Sequence, residues 1–96
     1  MSSLIEIKQV IQALKPELLD RYKVSSIGLF GSVVRDDFSP SSDIDIIVDF
    51  TGPIGIEFID LADYIERKLQ KKVDLVSRKG IKDRYFKAIE REIVYV

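Results

Sequence analysis

Asp43 and Asp45 stand one residue apart at the head of an apolar run, "DIDIIVDF". In a strand, side chains at i and i+2 project to one face, which sets two carboxylates side by side. Such a pair repels and resists desolvation, and a divalent cation relieves both costs. Magnesium suits the pair: it takes a couple of carboxylates, several waters and the oxygens of a phosphate substrate. The plainer reading is a solvated strand start, where aspartate is common. Asp74 bears on the choice. It sits inside "KVDLV", flanked by Val73 and Leu75, and aspartate is a poor strand former. If that segment pairs beside the first, three carboxylates converge. If it is an edge strand, Asp74 can simply point to water.

Upstream lies Gly31-Ser32. A glycine at the end of a strand lets a ligand approach the backbone closely. A serine opening a short helix offers an amide and a hydroxyl where free amides favour anions; it is equally a common helix cap. Arg35, one turn on, can reach a phosphate or pair with Asp36 or Asp37.

These residues need elements to hold them. "SLIE" at Ser3 to Glu6 reads as a capping box, and Leu4, Ile7, Ile11 and Leu14 follow at helical spacing. Pro16 should end or bend that helix, with Glu17 to Tyr22 as a last helical piece. "VSSIGLFG" reads as a first strand, stopped by Gly31, and "VVRDDFSPSS" as a helical turn and loop. "DIDIIVDF" is a central, well-covered strand. Phe58, Leu61, Ala62, Ile65 and Leu69 mark an amphipathic helix. "KKVDLVS" is a third strand, Ile81 to Glu92 a last helix, and "IVYV" an apolar tail that is either a partner surface or a last strand. The order predicts an α+β fold: a small mixed β-sheet with helices packed on one face, in a single domain spanning 1–96.

The 96 residues contain no cysteine and no histidine. That excludes disulfide scaffolds, thiol nucleophiles, zinc–histidine sites and Ser-His-Asp chemistry. Acid–base work must fall to carboxylates, hydroxyls, lysines, arginines or a recruited metal. No apolar run is long enough to span a membrane and the first residues lack a signal-peptide pattern, so a cytoplasmic location is expected. Net charge is −1, but Met1 to Glu66 hold five basic and twelve acidic side chains, against ten and four in Arg67 to Val96. The basic last part is either a contact surface for something anionic or a set of solvated lysines.

Gly31-Ser32, ten intervening residues and Asp43-x-Asp45 together resemble the signature of the DNA polymerase beta-like nucleotidyltransferase superfamily. In "FGSVVR…SDIDIIV" and "KKVDLV" the chain is most similar to its minimal nucleotidyltransferase branch, short stand-alone domains that are typically the antitoxin halves of HEPN–minimal nucleotidyltransferase pairs in prokaryotes. Asp36 departs from the pattern, since members often have glycine after the arginine. The resemblance implies that Gly31 and Ser32 hold the β- and γ-phosphates of ATP, with Arg35 and Ser42 also at the nucleotide. It implies two magnesium ions on Asp43 and Asp45, with Asp74 completing the site and helping to deprotonate the acceptor. The implied activity is AMP transfer to a tyrosine hydroxyl of a partner HEPN ribonuclease toxin, in a homo- or hetero-oligomer, without membrane or direct nucleic-acid binding. Two other functions stay open: an antitoxin that neutralises by contact alone, and a small-molecule nucleotidyltransferase of the aminoglycoside-modifying kind. About twenty residues beyond "KVDLV" leave little room for the substrate domain the latter needs. A pure binder has no need of three aspartates.

Overall fold

The computed structural model describes residues 4–35, 39 and 41–96. Ser3, and with it the expected capping box, lies outside them, as do Asp36 and Pro40. Helix α1 runs over Leu4–Tyr22 and strand β1 over Val24–Phe30, followed by a 3-10 turn at Gly31–Val34. Strand β2 is Ile44–Phe50, α2 is Glu57–Leu69 and β3 is Val73–Ser77. Helix α3, Asp83–Ile89, leads through a 3-10 turn at Glu90–Glu92 to β4, Val94–Tyr95. The strand order is β3-β2-β1-β4. The β2–β3 pair is parallel and the other two are antiparallel, which makes the sheet mixed and the fold α+β.

Alternation along β2 decides which face is which. Ile44, Ile46 and Val48 are buried in the main core, against Ile7, Ile11 and Leu18 of α1 and Leu61, Ile65 and Leu69 of α2. Their neighbours Asp45, Ile47 and Asp49 therefore face the other way. There Ile47 joins Phe30 and Ile89 in a second, smaller cluster with Val76, Phe86 and Ile93 around it. So α1 and α2 form the helical layer on one face, and the short α3 seats on the other.

One helix limit differs from expectation, and two open alternatives are decided. Pro16 does not end α1, which continues to Tyr22. Gln12, whose carbonyl the proline leaves without its helical donor, is exposed like Pro16 itself, so water can satisfy it. The expected last helix stops at Ile89 rather than Glu92, where the chain turns in 3-10 geometry back to the sheet. The apolar tail becomes the fourth strand. Val94 and Tyr95 pair with Leu29 and Gly28, and the Val96 amide donates to the Ile27 carbonyl at 2.9 Å. Lys15 of α1 donates to the Val96 main-chain oxygen at 2.8 Å. Gly28 makes room for this strand, because a Cβ there would lie 2.6 Å from the Ile93 side chain. Among the described residues no helix is long and apolar enough to cross a membrane.

Candidate active site

The parallel register of β2 and β3 places Asp45 directly beside Asp74. Neighbouring strands lie about 4.8 Å apart, so partners on one face have their carboxylates within reach of each other. Asp74 lies on the edge strand and is exposed, yet it is also in register with Asp45. The segment thus pairs beside β2 and is also an edge strand. Asp43 precedes β2 and is exposed, while Asp45 is half-buried. Burial pushes the Asp45 carboxyl up to about 6, and repulsion from Asp74 and then Asp43 adds to the shift. The Arg35 guanidinium opposes it and Glu92 reinforces it. One carboxylate therefore senses all the charged members of the candidate site.

Across β1, Phe30 is the register partner of Asp45, and Gly31 follows it. Gly31 has φ +77°, in the left-handed region. A Cβ there would collide with Oδ2 of Asp45. Glycine is thus required twice at this point, for the turn and for the close approach of carboxylate and backbone. Ser32 is half-buried, and its carbonyl accepts from the Arg35 amide at 3.1 Å. It does not cap the 3-10 turn: the cap position belongs to Phe30, and no side chain bonds there. Ser42 is engaged elsewhere. Its hydroxyl accepts from the Ser39 amide at 3.2 Å and pairs with the Ser39 hydroxyl at 3.1 Å. These bonds close the turn that sets Asp43 ahead of β2.

Sequence reasoning did not find Glu92. Its Oε1 accepts from the Gly31 amide at 2.9 Å, and its Oε2 pairs with Nη1 of Arg35 at 3.2 Å. Sixty-one residues separate it from Gly31, and no pattern in "EREIVYV" marks one acid over the other. Only the return of the chain to β1 brings it to the site.

Among the described residues, no three acidic side chains are gathered closely enough to hold a metal by themselves. The donor set nonetheless fits magnesium, which takes few protein ligands and completes its shell with water and phosphate oxygens. Asp43, Asp45 and Asp74 offer hard oxygens of one charge beside the buried backbone of Gly31. The site is an open surface. A cleft of about 750 Å³ lined by Arg21, Tyr22, Asp60, Asp63, Glu66 and Arg67 lies by α1 and α2 and contains none of these residues; polar clefts of that kind arise wherever charged helices meet, and we give it no role.

The carboxylates of Asp45 and Asp74 on adjacent strands, next to the strand-ending Gly31, form the candidate site. The chain belongs to the nucleotidyltransferase domain family, whose model matches residues 11–96, and it is an enzyme of that class. It is 43% identical over 97 residues to protein adenylyltransferase MntA of Thermococcus cleftensis, with 100% of this chain and 98% of that protein covered. In three dimensions it is similar to a toxin–antitoxin structure with AMP-PNP, at TM-score 0.62 and 27% identity, covering 79% of this chain and 60% of that one. It also shares its fold with a complex of a tri-AMPylated Shewanella oneidensis HEPN toxin and MNT antitoxin, at TM-score 0.65 and 22% identity, over 95% and 68% of the two chains.

Proposed function

We propose that this protein transfers AMP from ATP to a tyrosine hydroxyl of a HEPN-family toxin and neutralises it as an antitoxin. The observation that carries the reading is the register of Asp45 with Asp74 beside Gly31, whose missing Cβ leaves the Asp45 carboxylate against bare backbone. A binding module gains nothing from that arrangement, since it raises the electrostatic cost of the fold. The names of the similar proteins support the substrate and partner: one is a protein adenylyltransferase, one holds an ATP analogue and one pairs an MNT antitoxin with an AMPylated HEPN toxin.

In this reading the acceptor oxygen attacks the α-phosphorus of ATP. The bond from that phosphorus to the oxygen bridging to the β-phosphate breaks, and pyrophosphate leaves. Gly31 and Ser32 present an amide and a hydroxyl to the β- and γ-phosphates, and Arg35 supplies positive charge to the leaving group. Asp43, Asp45 and Asp74 would hold two magnesium ions, which supply charge neutralisation at the attacking and leaving oxygens. Asp74, exposed at the sheet edge, takes the acceptor proton in this reading. Ser42 acts by shaping the turn that positions Asp43. Because the site lies open on the sheet, the acceptor arrives on another macromolecule, whose surface completes it. A cytoplasmic location, where ATP is abundant, suits this reading, and the working assembly in it is a complex with the toxin.

The test incubates this protein with α-labelled ATP and magnesium, together with a candidate HEPN-family toxin, tRNA or a panel of aminoglycosides. Label is expected on the HEPN protein and is lost when its acceptor tyrosine is changed to phenylalanine. Label on RNA or a small molecule alone refutes the protein acceptor but not nucleotidyl transfer.

A further inference from the structure

Glu92 occupies the place where the proposed reading puts phosphate. Its carboxylate takes the Gly31 amide at 2.9 Å, and Nη1 of Arg35 stands 3.4 and 3.2 Å from its two oxygens. An amide and a guanidinium are the donors a phosphate oxygen seeks. The carboxylate does not wander there by chance. Glu92 ends the 3-10 turn Glu90–Glu92, and β4 fastens the next residues to β1 at Gly28 and Leu29. Gly28 lacks the Cβ that would push Ile93 away, so the segment lies flat on the strand leading into Gly31. The contact also carries an electrostatic cost, because Glu92 adds negative charge beside Asp45. A purely structural ion pair would be better placed away from three aspartates.

We propose that Glu92 is an internal stand-in for the nucleotide's polyphosphate, seated on the Gly31 amide and Arg35 until the triphosphate displaces it, and that it thereby sets the affinity for nucleotides by their phosphate tail. This inference rests on the nucleotidyl-transfer reading. Displacement breaks an ion pair whose side chains are 52% and 29% exposed, a weak interaction that a triphosphate can replace. Arg35 then turns from carboxylate to phosphate. A ligand without β- and γ-phosphates has no means to displace Glu92 and gains nothing from its removal. Swinging Glu92 out also loosens the start of β4, which links nucleotide entry to the outer edge of the sheet.

The experiment is calorimetric titration of α,β-methylene-ATP and of AMP into the wild-type protein, Glu92→Ala and Glu92→Gln, with magnesium present throughout. Glu92→Ala should bind the triphosphate roughly three- to tenfold more tightly, the scale of a lost exposed ion pair plus relieved repulsion. Glu92→Gln keeps an acceptor for the Gly31 amide but not the charge, so it should fall between alanine and wild type. AMP affinity should stay within about twofold in all three, since AMP lacks the competing phosphates. If alanine disturbs β4 enough to unfold the chain, the glutamine variant carries the comparison. Triphosphate binding that both variants leave unchanged or weaken overturns this inference alone, as does equal tightening for AMP. No nucleotide binding by any of the three proteins overturns the nucleotidyl-transfer reading together with it.

Discussion

Asp45 and Ser32 carry the residue-scale consequences. The folded Asp45 carboxyl is raised to about 6 from its ordinary 3.8, chiefly by burial. The folded state thus binds its proton at higher pH than the unfolded chain does. Ionised Asp45 destabilises the fold fully above about pH 6, and that penalty disappears as pH falls toward 4. Asp45→Asn in metal-free buffer should therefore melt above the wild type at pH 8, and the gap should close between pH 6 and 4. A gap independent of pH, or of the opposite sign, contradicts the placement of this carboxylate. The same variant should lose AMP transfer, which separates function from stability at one position. Ser32 gives the converse case. Its hydroxyl caps no helix in the structure. Ser32→Ala should shift stability by no more than about 0.5 kcal/mol, the usual range for a change that breaks no cap or core contact. It should raise the KM for ATP several-fold. Equal KM values would reduce Gly31-Ser32 to a turn.

At the scale of elements, the parts that place the carboxylates were legible in the sequence and the parts that close the site were not. The i, i+2 spacing of Asp43 and Asp45, and an aspartate inside the apolar "KVDLV", marked β2 and β3 because strand periodicity is local and strong, while their pairing stayed conditional. The Asp45–Asp74 register brings two of the three carboxylates side by side, while no group of three is gathered among the described residues. One helix limit failed, and the end-or-bend choice at Pro16 fell against an end. Pro16 sits on the exposed side of α1, where a missing hydrogen bond costs little, and the helix runs through it. The last helix ends early because Ile93 to Val96 are drawn to β1, a tertiary pairing that no local pattern announces. Glu92 was missed with it. Gly28 is the hinge of that pairing. Gly28→Ala would set a Cβ 2.6 Å from Ile93 Cγ2 and 3.1 Å from the Tyr95 ring, so the tail must shift to admit it. Destabilisation of about 1–3 kcal/mol is expected, the range for overpacking, read as a lowered urea midpoint. Faster exchange of the Val96 amide, which β1 holds in the wild type, should accompany it. An unchanged midpoint and unchanged exchange would show that the tail has room to spare.

For the whole molecule, the fold divides its labour between two faces of one sheet. The face under α1 and α2 holds most of the core, with Ile44, Ile46 and Val48 fully covered. The other face is only partly covered by α3 and carries Asp45, with Lys79, Lys82, Arg84 and Lys87 exposed along its flank. A sheet with one face committed to stability can leave the other open to a large acceptor, and the basic flank offers that acceptor an electrostatic approach. The charge asymmetry of the sequence left open whether these side chains meet a partner or are simply solvated, and their exposure fits either. The central claim is metal-assisted AMP transfer to a protein tyrosine by these carboxylates. Intact-mass spectrometry of a candidate HEPN-family toxin, after incubation with this protein, ATP and magnesium, tests it most directly. The toxin should gain whole AMP increments on a tyrosine with the wild type, and none with Asp43→Asn, with Asp45→Asn or without magnesium. A toxin that is neutralised while its mass stays unchanged, or that is modified equally by the aspartate variants, would contradict the account.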